Sequence, residues 1–385
     1  MKTYFPALTG IRAIAAFLVF FYHYVLHIPA TNQPFVFKWL ILCAHQGHIG
    51  VPIFFVLSGF LITTRYAGSV ELTGPWFRRY LQNRFARIYP IYFLLTLLTF
   101  AVMLVSPTHE WYAWPAAFGA AKRAVIILLN LTLTRAYFQS MIYLGVPTAW
   151  TLTVEETFYL CAPLLLLGLK HNFRRLYAYP LMLLLLGTVI VAVCSQLLPT
   201  ASLMPSIDYM LSQTFFGRCV EFFVGMGLAL WMRRQPSAQP VLLKKATLLG
   251  GLGILAVVVV LAAMEQLPSQ PLTQVYLYYL VNNVLLPLPI ALLLWGLIRE
   301  RTWLQQLLAS KTFDLLGKSS YVFYLIHLGV VDTFFSRYLT DNWFIRLGAY
   351  TLLSVALYKW IEHPLHQRLR AKAPAAPKPA LLNAA

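Results

Sequence analysis

The sequence predicts an all-α polytopic membrane protein of about ten transmembrane helices, with its N- and C-termini cytoplasmic. Three observations predict it. Of 385 residues, 59% are hydrophobic and only 11% are charged, against about 25% charged in ordinary soluble domains. Apolar runs of the length a bilayer requires, roughly 20 residues, recur along the chain. Lys and Arg concentrate in alternate connections between those runs. A soluble chain of this size needs a charged exterior, and twelve acidic residues cannot supply one.

The first run, 8–28, follows Lys2 and could be mistaken for a secretory signal. It reaches full spanning length, holds Arg12 and lacks a small-residue cleavage site, so it is expected to be retained. Runs at 48–65, 88–106, 149–169 and 178–198 come next, then 213–232, 246–264, 276–298, 315–336 and 344–361. An eleventh apolar stretch, 124–133, is too short to span and is flanked by Lys122, Arg123 and Arg135, which marks it as interfacial or re-entrant.

With the N-terminus inside, the inner connections collect Arg65, Arg78, Arg79, Arg84 and Arg87, then Lys170, Arg174 and Arg175, then Arg233 and Arg234, and so on to Arg368 and Arg370. The outer ones keep little beyond Lys38, Lys122, Arg123, Arg135, Arg337 and Arg346. This asymmetry fixes the expected orientation. It also accounts for the net charge of +18, which is spread over loops facing anionic lipid; with no basic soluble domain, membrane lipids and not nucleic acid are the expected partners. Cys43, Cys161, Cys194 and Cys219 are scattered and suggest neither a disulfide framework nor a metal site. Residues 1–369 read as one transmembrane domain, and the Ala/Pro-rich residues 370–385 as a disordered cytoplasmic tail.

Ionisable groups inside a membrane are costly and usually face a cavity or a partner. In the first helix Arg12 and His23 are eleven residues apart, three turns plus about 20°, so they share a face and lie roughly 16 Å apart along it. Glu155 and Glu156 fall at about the depth of His23. A neutral imidazole with a carboxylate on its other nitrogen makes a general base. Equally, His23 can be a packing residue and one of the glutamates the partner of a buried arginine. Arg84 and Arg87 occupy neighbouring turns of one face, suited to phosphate oxygens, whereas Arg78 and Arg79 suit lipid headgroups. Ser58, Tyr324 and His327 lie mid-membrane, where each could line a channel; Ser58 beside Gly59 also fits a helix contact. Arg218 and Glu221, at i,i+3, are expected to neutralise each other. The aromatics Trp111, Tyr112, Trp114, Tyr137, Phe138 and Tyr143 form an interfacial belt or a sugar-stacking surface.

Several stretches together resemble the acyltransferase-3 family of integral membrane O-acyltransferases, the group that O-acylates bacterial surface glycans. They are the Arg12/His23 pair, GVPIFFVLSGFLIT at 50–63, Arg84-Phe-Ala-Arg87 leading into IYPIYF, and WTLTVEETFYL at 150–160, which begins with Trp150. Arg218 with EFFVGMGLAL at 221–230, SSYVFYLIH at 319–327 and EHPLHQRLR at 362–370 follow in the family's order. The chain departs from the family at Thr9 and Pro52, where acidic residues are common, so the resemblance carries over no subfamily and no particular substrate.

The resemblance implies a multi-pass enzyme of the bacterial inner membrane. Its donor is cytoplasmic acyl-CoA, acetyl-CoA by default, its acceptor is a glycan or lipid-linked sugar, and glycan-assembly proteins are further partners. His23 becomes the catalytic residue with Glu155 or Glu156 behind it. Arg12, Arg84 and Arg87 become the cofactor-binding set, and Ser58, Trp150, Tyr324 and His327 channel or support residues, with no metal. The roughly 16 Å between Arg12 and His23 matches an extended phosphopantetheine arm, so phosphates at the arginines place the thioester at His23. Either direct attack of a sugar hydroxyl or an acyl-histidine intermediate fits. The competing class is a proton-coupled transporter using the same buried His/Glu/Arg set.

Overall fold

The computed structural model describes residues 4–31, 33–105, 114, 118–234, 245–267 and 272–371. The expected C-terminal tail beyond residue 371, and Trp111 and Tyr112 of the aromatic set, lie outside the described residues. Those described form helices and connecting turns with no strand, apart from an isolated bridge between Phe138 and Leu203.

In chain order the helices are α1 (Pro6–Val25), α2 (Phe35–His45), α3 (Gly50–Tyr66), α4 (Gly74–Val105), α5 (Ala120–Leu131), α6 (Trp150–His171), α7 (Arg175–Leu197), α8 (Ile207–Gln213) and α9 (Phe215–Arg234). There follow α10 (Ala246–Glu265), α11 (Leu272–Tyr279), α12 (Pro287–Arg299), α13 (Trp303–Leu308), α14 (Lys311–Ile326), α15 (Val330–Tyr338), α16 (Trp343–Leu357) and α17 (His363–Leu369). Eight helical stretches among the described residues are long and apolar enough to cross a membrane. They match the first eight runs predicted from sequence, with α2 and α3 continuing through a single turn of 3-10 helix at Gly47–Ile49. The short apolar stretch is α5, twelve residues long and below spanning length.

The ninth and tenth runs differ from expectation. The run at 315–336 is broken: α14 ends at Ile326, His327 caps it, and Gly329 at φ 96° turns the chain before α15. Only glycine takes that backbone conformation at little cost. The run at 344–361 is the fifteen-residue α16, which passes through a π-turn at Tyr358–Glu362 into α17. A π-turn carries one extra residue, which rotates everything after it relative to an uninterrupted α-helix.

At the centre, α1 packs along α14 and α3 along α9. Both contacts are backbone to backbone. A Cβ on Gly59 would strike the Phe222 carbonyl and one on Gly225 the Val56 carbonyl; one on Gly317 would strike the Thr9 carbonyl. Small residues permit this approach where lipid offers no hydrophobic drive between helices. Gly59 therefore makes the helix contact, and Ser58, about 100° round the same helix, is left facing elsewhere.

Candidate active site

A cavity of about 650 Å³ opens between α1, α3, α4, α6, α14 and α17. At one end it is lined by Arg12, Arg65, Arg84, Arg87 and His366, from four helices. Arg87 is ion-paired at 2.9 Å to Glu362, which is 1% exposed and which the π-turn delivers to this site. The other three arginines have no carboxylate within 4 Å among the described residues. Arg84 lies 5.9 Å over the Tyr66 ring and 5.6 Å over Tyr159, and its buried Nε has no hydrogen-bond partner. Clustered guanidinium groups without counter-ions make an anion site, and their planar forks fit phosphate oxygens.

Midway along the cavity Ser58 donates to the Glu155 carboxylate at 2.5 Å, and Tyr159, one turn on in α6, donates to the same carboxylate. Tyr321 donates to the Ile88 carbonyl across the cavity wall at 2.8 Å. At the far end the lining is Val51, Phe54, Thr151 and Tyr324. Thr151 donates to the Tyr324 hydroxyl at 3.1 Å, which turns on to the Thr148 carbonyl at 3.3 Å.

Just beyond that end is a pair of histidines. His327 Nε2 lies 3.2 Å from His23 Nδ1, and His23 Nδ1 lies 2.8 Å from the Val19 carbonyl one turn back. A carbonyl only accepts, so Nδ1 carries the proton and Nε2 of His23 keeps the lone pair. His327 is fully buried, stacked on Phe323 at 6.0 Å and 5.7 Å from the Tyr324 ring, while His23 is half-buried. Behind them Asp332 accepts from Tyr24 at 2.5 Å and Tyr350 at 2.6 Å and pairs with Arg346 at 3.2 Å.

Of the residues singled out from sequence, Arg12, Ser58, Arg84, Arg87, Glu155 and Tyr324 thus meet on one cavity. The expected carboxylate partner of His23 is replaced. Glu155 is engaged by Ser58 and Tyr159, Glu156 is not among the residues lining the cavity and its Oε2 has no hydrogen-bond partner among the described residues, and the imidazole meets His327. The reason is the α14 break, which brings the His327 ring across to α1 at the cap instead of leaving it in mid-helix. Trp150 does not line the cavity; it packs against a buried cluster of Ala136, Ile142 and Tyr209. Arg218 and Glu221 neutralise each other at 2.8 Å, buried, as their spacing predicted. Sequence reasoning missed Arg65, Tyr159 and Glu362. Glu362 had a signal, since an acid followed by His-Pro at a helix end is an odd place for a carboxylate.

A helical membrane protein whose interior holds a cationic cavity ending at a histidine pair is the class defined so far. The family model described as "Acyltransferase domain", acyltransferase-3, matches residues 5–360, and the chain belongs to that family. Among curated relatives it is 23% identical over 381 residues to "Putative O-acetyltransferase SACOL0978" of Staphylococcus aureus, covering 94% of this chain and 58% of that protein. It is 27% identical to "Putative peptidoglycan O-acetyltransferase YrhL" of Bacillus subtilis, covering 85% and 49%. It is 28% identical to "Acyltransferase MdmB" of Streptomyces mycarofaciens, covering 85% and 79%. The chain therefore spans about half the length of the first two. No solved structure matches.

Proposed function

We propose that the chain is a transmembrane O-acyltransferase. It takes an acyl group, acetyl in the simplest case, from cytoplasmic acyl-CoA and passes it to a hydroxyl of a cell-surface or lipid-linked glycan on the far side of the bacterial inner membrane. The observation that carries this reading is the cavity's polarity: Arg12, Arg65 and Arg84, without an ion-pair partner among the described residues, at one end, the His23–His327 pair beyond the other. Coenzyme A has that polarity, with phosphates at its head and a thioester at the tip of a neutral arm. Membership of the acyltransferase family and the names of the relatives support the acyl chemistry.

The arginines bind the phosphates through charge-assisted hydrogen bonds, and the pantetheine arm lies along the Ser58–Glu155–Tyr159 wall. His23 Nε2 removes the proton from the acceptor hydroxyl as its oxygen attacks the thioester carbonyl. The tetrahedral adduct then expels the sulfur, and the imidazolium returns its proton to the departing thiolate, which leaves as free CoA. His327 is a positioning residue: as the second acceptor of the Nδ1–H that the Val19 carbonyl already takes, its Nε2 helps hold the His23 ring in the orientation that presents Nε2. The test is release of CoA thiol from acetyl-CoA by the full chain in lipid nanodiscs. The reading expects release that depends on His23. Full release by His23→Ala at normal expression, or proton-coupled uptake of a solute with no CoA released, overturns it.

A further inference from the structure

A second cavity, about 340 Å³, opens between the ends of α1, α2 and α10 and the faces of α8 and α11. Its size lies within the roughly 300–1,000 Å³ of small-molecule pockets. The two cavities are one helical turn apart: Val51 of α3 lines the first and His48, three residues earlier, lines the second. The wall between them is joined to the proposed base. The Tyr22 ring lies 4.9 Å from that of His23 and 5.4 Å from that of His48. The Tyr278 hydroxyl lies 2.9 Å from His48 Nε2.

The polar lining is built as well as present. Glu265 is gripped by His45 Nδ1 at 3.1 Å and by the buried Gln46 amide, which donates at 2.8 Å. The far nitrogen of His45 is held by the Val25 carbonyl at 3.2 Å. At the mouth the exposed Asp208 accepts from the Tyr279 hydroxyl at 2.7 Å. Among the described residues the lining holds two carboxylates and two histidines but no Lys or Arg. Arg218, whose charge reaches the lining at Tyr278, is already neutralised by Glu221 at 2.8 Å. Fixed carboxylates beside tyrosine rings suit a ligand that presents several hydroxyl donors and apolar ring faces. His45, whose two nitrogens face the Glu265 carboxylate and the Val25 carbonyl, is taken up by those acceptors, so an anionic ligand would meet Asp208 at the entrance with no Lys or Arg of the described lining to offset it.

We infer that this second cavity is the acceptor site and that it takes an uncharged polyhydroxylated ligand, a neutral or N-acetylated sugar, one of whose hydroxyls projects past Tyr22 to His23. This rests on the acyl-transfer reading above and supplies its missing half, since donor and acceptor then reach His23 from two separate cavities. Glu265 and Asp208 orient the sugar and discriminate against uronic and sialic acids; they take no part in breaking the thioester.

The test uses the full chain in nanodiscs, with CoA release as readout and two probes, methyl N-acetyl-β-glucosaminide and methyl β-glucuronide. The neutral glycoside is expected to change the rate of CoA release saturably, and the glucuronide to act at least tenfold more weakly. Glu265→Gln and, on a separate helix, Asp208→Asn should each raise the half-saturating glycoside concentration tenfold or more while leaving the KM for acetyl-CoA within twofold. No response to the neutral glycoside up to its solubility limit, equal response to both probes, or both variants shifting acetyl-CoA and not the glycoside overturns the assignment. Failure of the parent reading looks different: no CoA is released from acetyl-CoA under any condition.

Discussion

Arg84 and Arg87 sit one turn apart on α4, yet the structure predicts that removing them breaks different things. The Arg84 guanidinium has aromatic faces around it and, among the described residues, no carboxylate within 4 Å, so its charge is available to a ligand. A hydrogen bond to a charged group contributes about 1.5–3 kcal/mol, so Arg84→Gln should raise the KM for acetyl-CoA roughly 10- to 150-fold. Folding should be nearly unchanged, because no partner is orphaned. Arg87 is spent on Glu362, which is 1% exposed. Truncating it strands a buried carboxylate, a loss of about 3–5 kcal/mol. Arg87→Met should therefore appear first as a fall in thermal unfolding temperature in detergent, and adding Glu362→Gln should recover much of it. The assay pairs CoA-release kinetics with scanning fluorimetry on the same preparations. An Arg84→Gln enzyme with an unchanged KM for acetyl-CoA, or an Arg87→Met protein as stable as the parent, would refute the reasoning from ion pairing to role.

Three further outcomes follow from the geometry. His23→Ala should lower acyl transfer by about 10²–10⁴-fold, the usual contribution of a positioned base, with binding of acetyl-CoA retained in a filter assay. His327→Phe keeps the ring stack on Phe323 and removes the nitrogen that faces His23; losing one hydrogen bond of about 0.5–1.5 kcal/mol should slow kcat roughly 2- to 10-fold without moving the KM for acetyl-CoA. Gly59→Val drives a side chain into the Phe222 carbonyl, and overpacking of this kind costs about 1–3 kcal/mol, so yield and unfolding temperature should fall.

The spans were legible because a bilayer imposes length and apolarity on each segment by itself. Eight of the ten predicted runs needed nothing else. Local pairs were legible for the same reason: Arg218 and Glu221 meet because three residues of helix bring them together. What could not be read was whatever depends on elements distant in sequence or on a departure from the regular helix. His23 and His327 are 304 residues apart and meet only because Gly329 ends α14 there. Equal depth made Glu155 look like the partner of His23, but depth says nothing about azimuth, and α6 turns Glu155 towards Ser58 instead. The eleven-residue α2 is too short to span by itself and carries Lys38, so the sequence holds no signal for its end, where His45 and Gln46 clamp Glu265.

The π-turn at Tyr358–Glu362 makes the register of the last helix a property of one inserted residue. Upstream, α16 packs on α14; downstream, α17 carries His366 to the cavity and to the Ala86 carbonyl at 3.1 Å. Were the same residues to run on as an unbroken α-helix, with the turn straightened and nothing deleted, everything after it would swing by about 100°. Glu362 would leave Arg87, and His366 would leave the arginine end, although no residue touching the cavity had been replaced. The chain's final helix thus works as a keyed part, correct in one rotational setting and idle in the next.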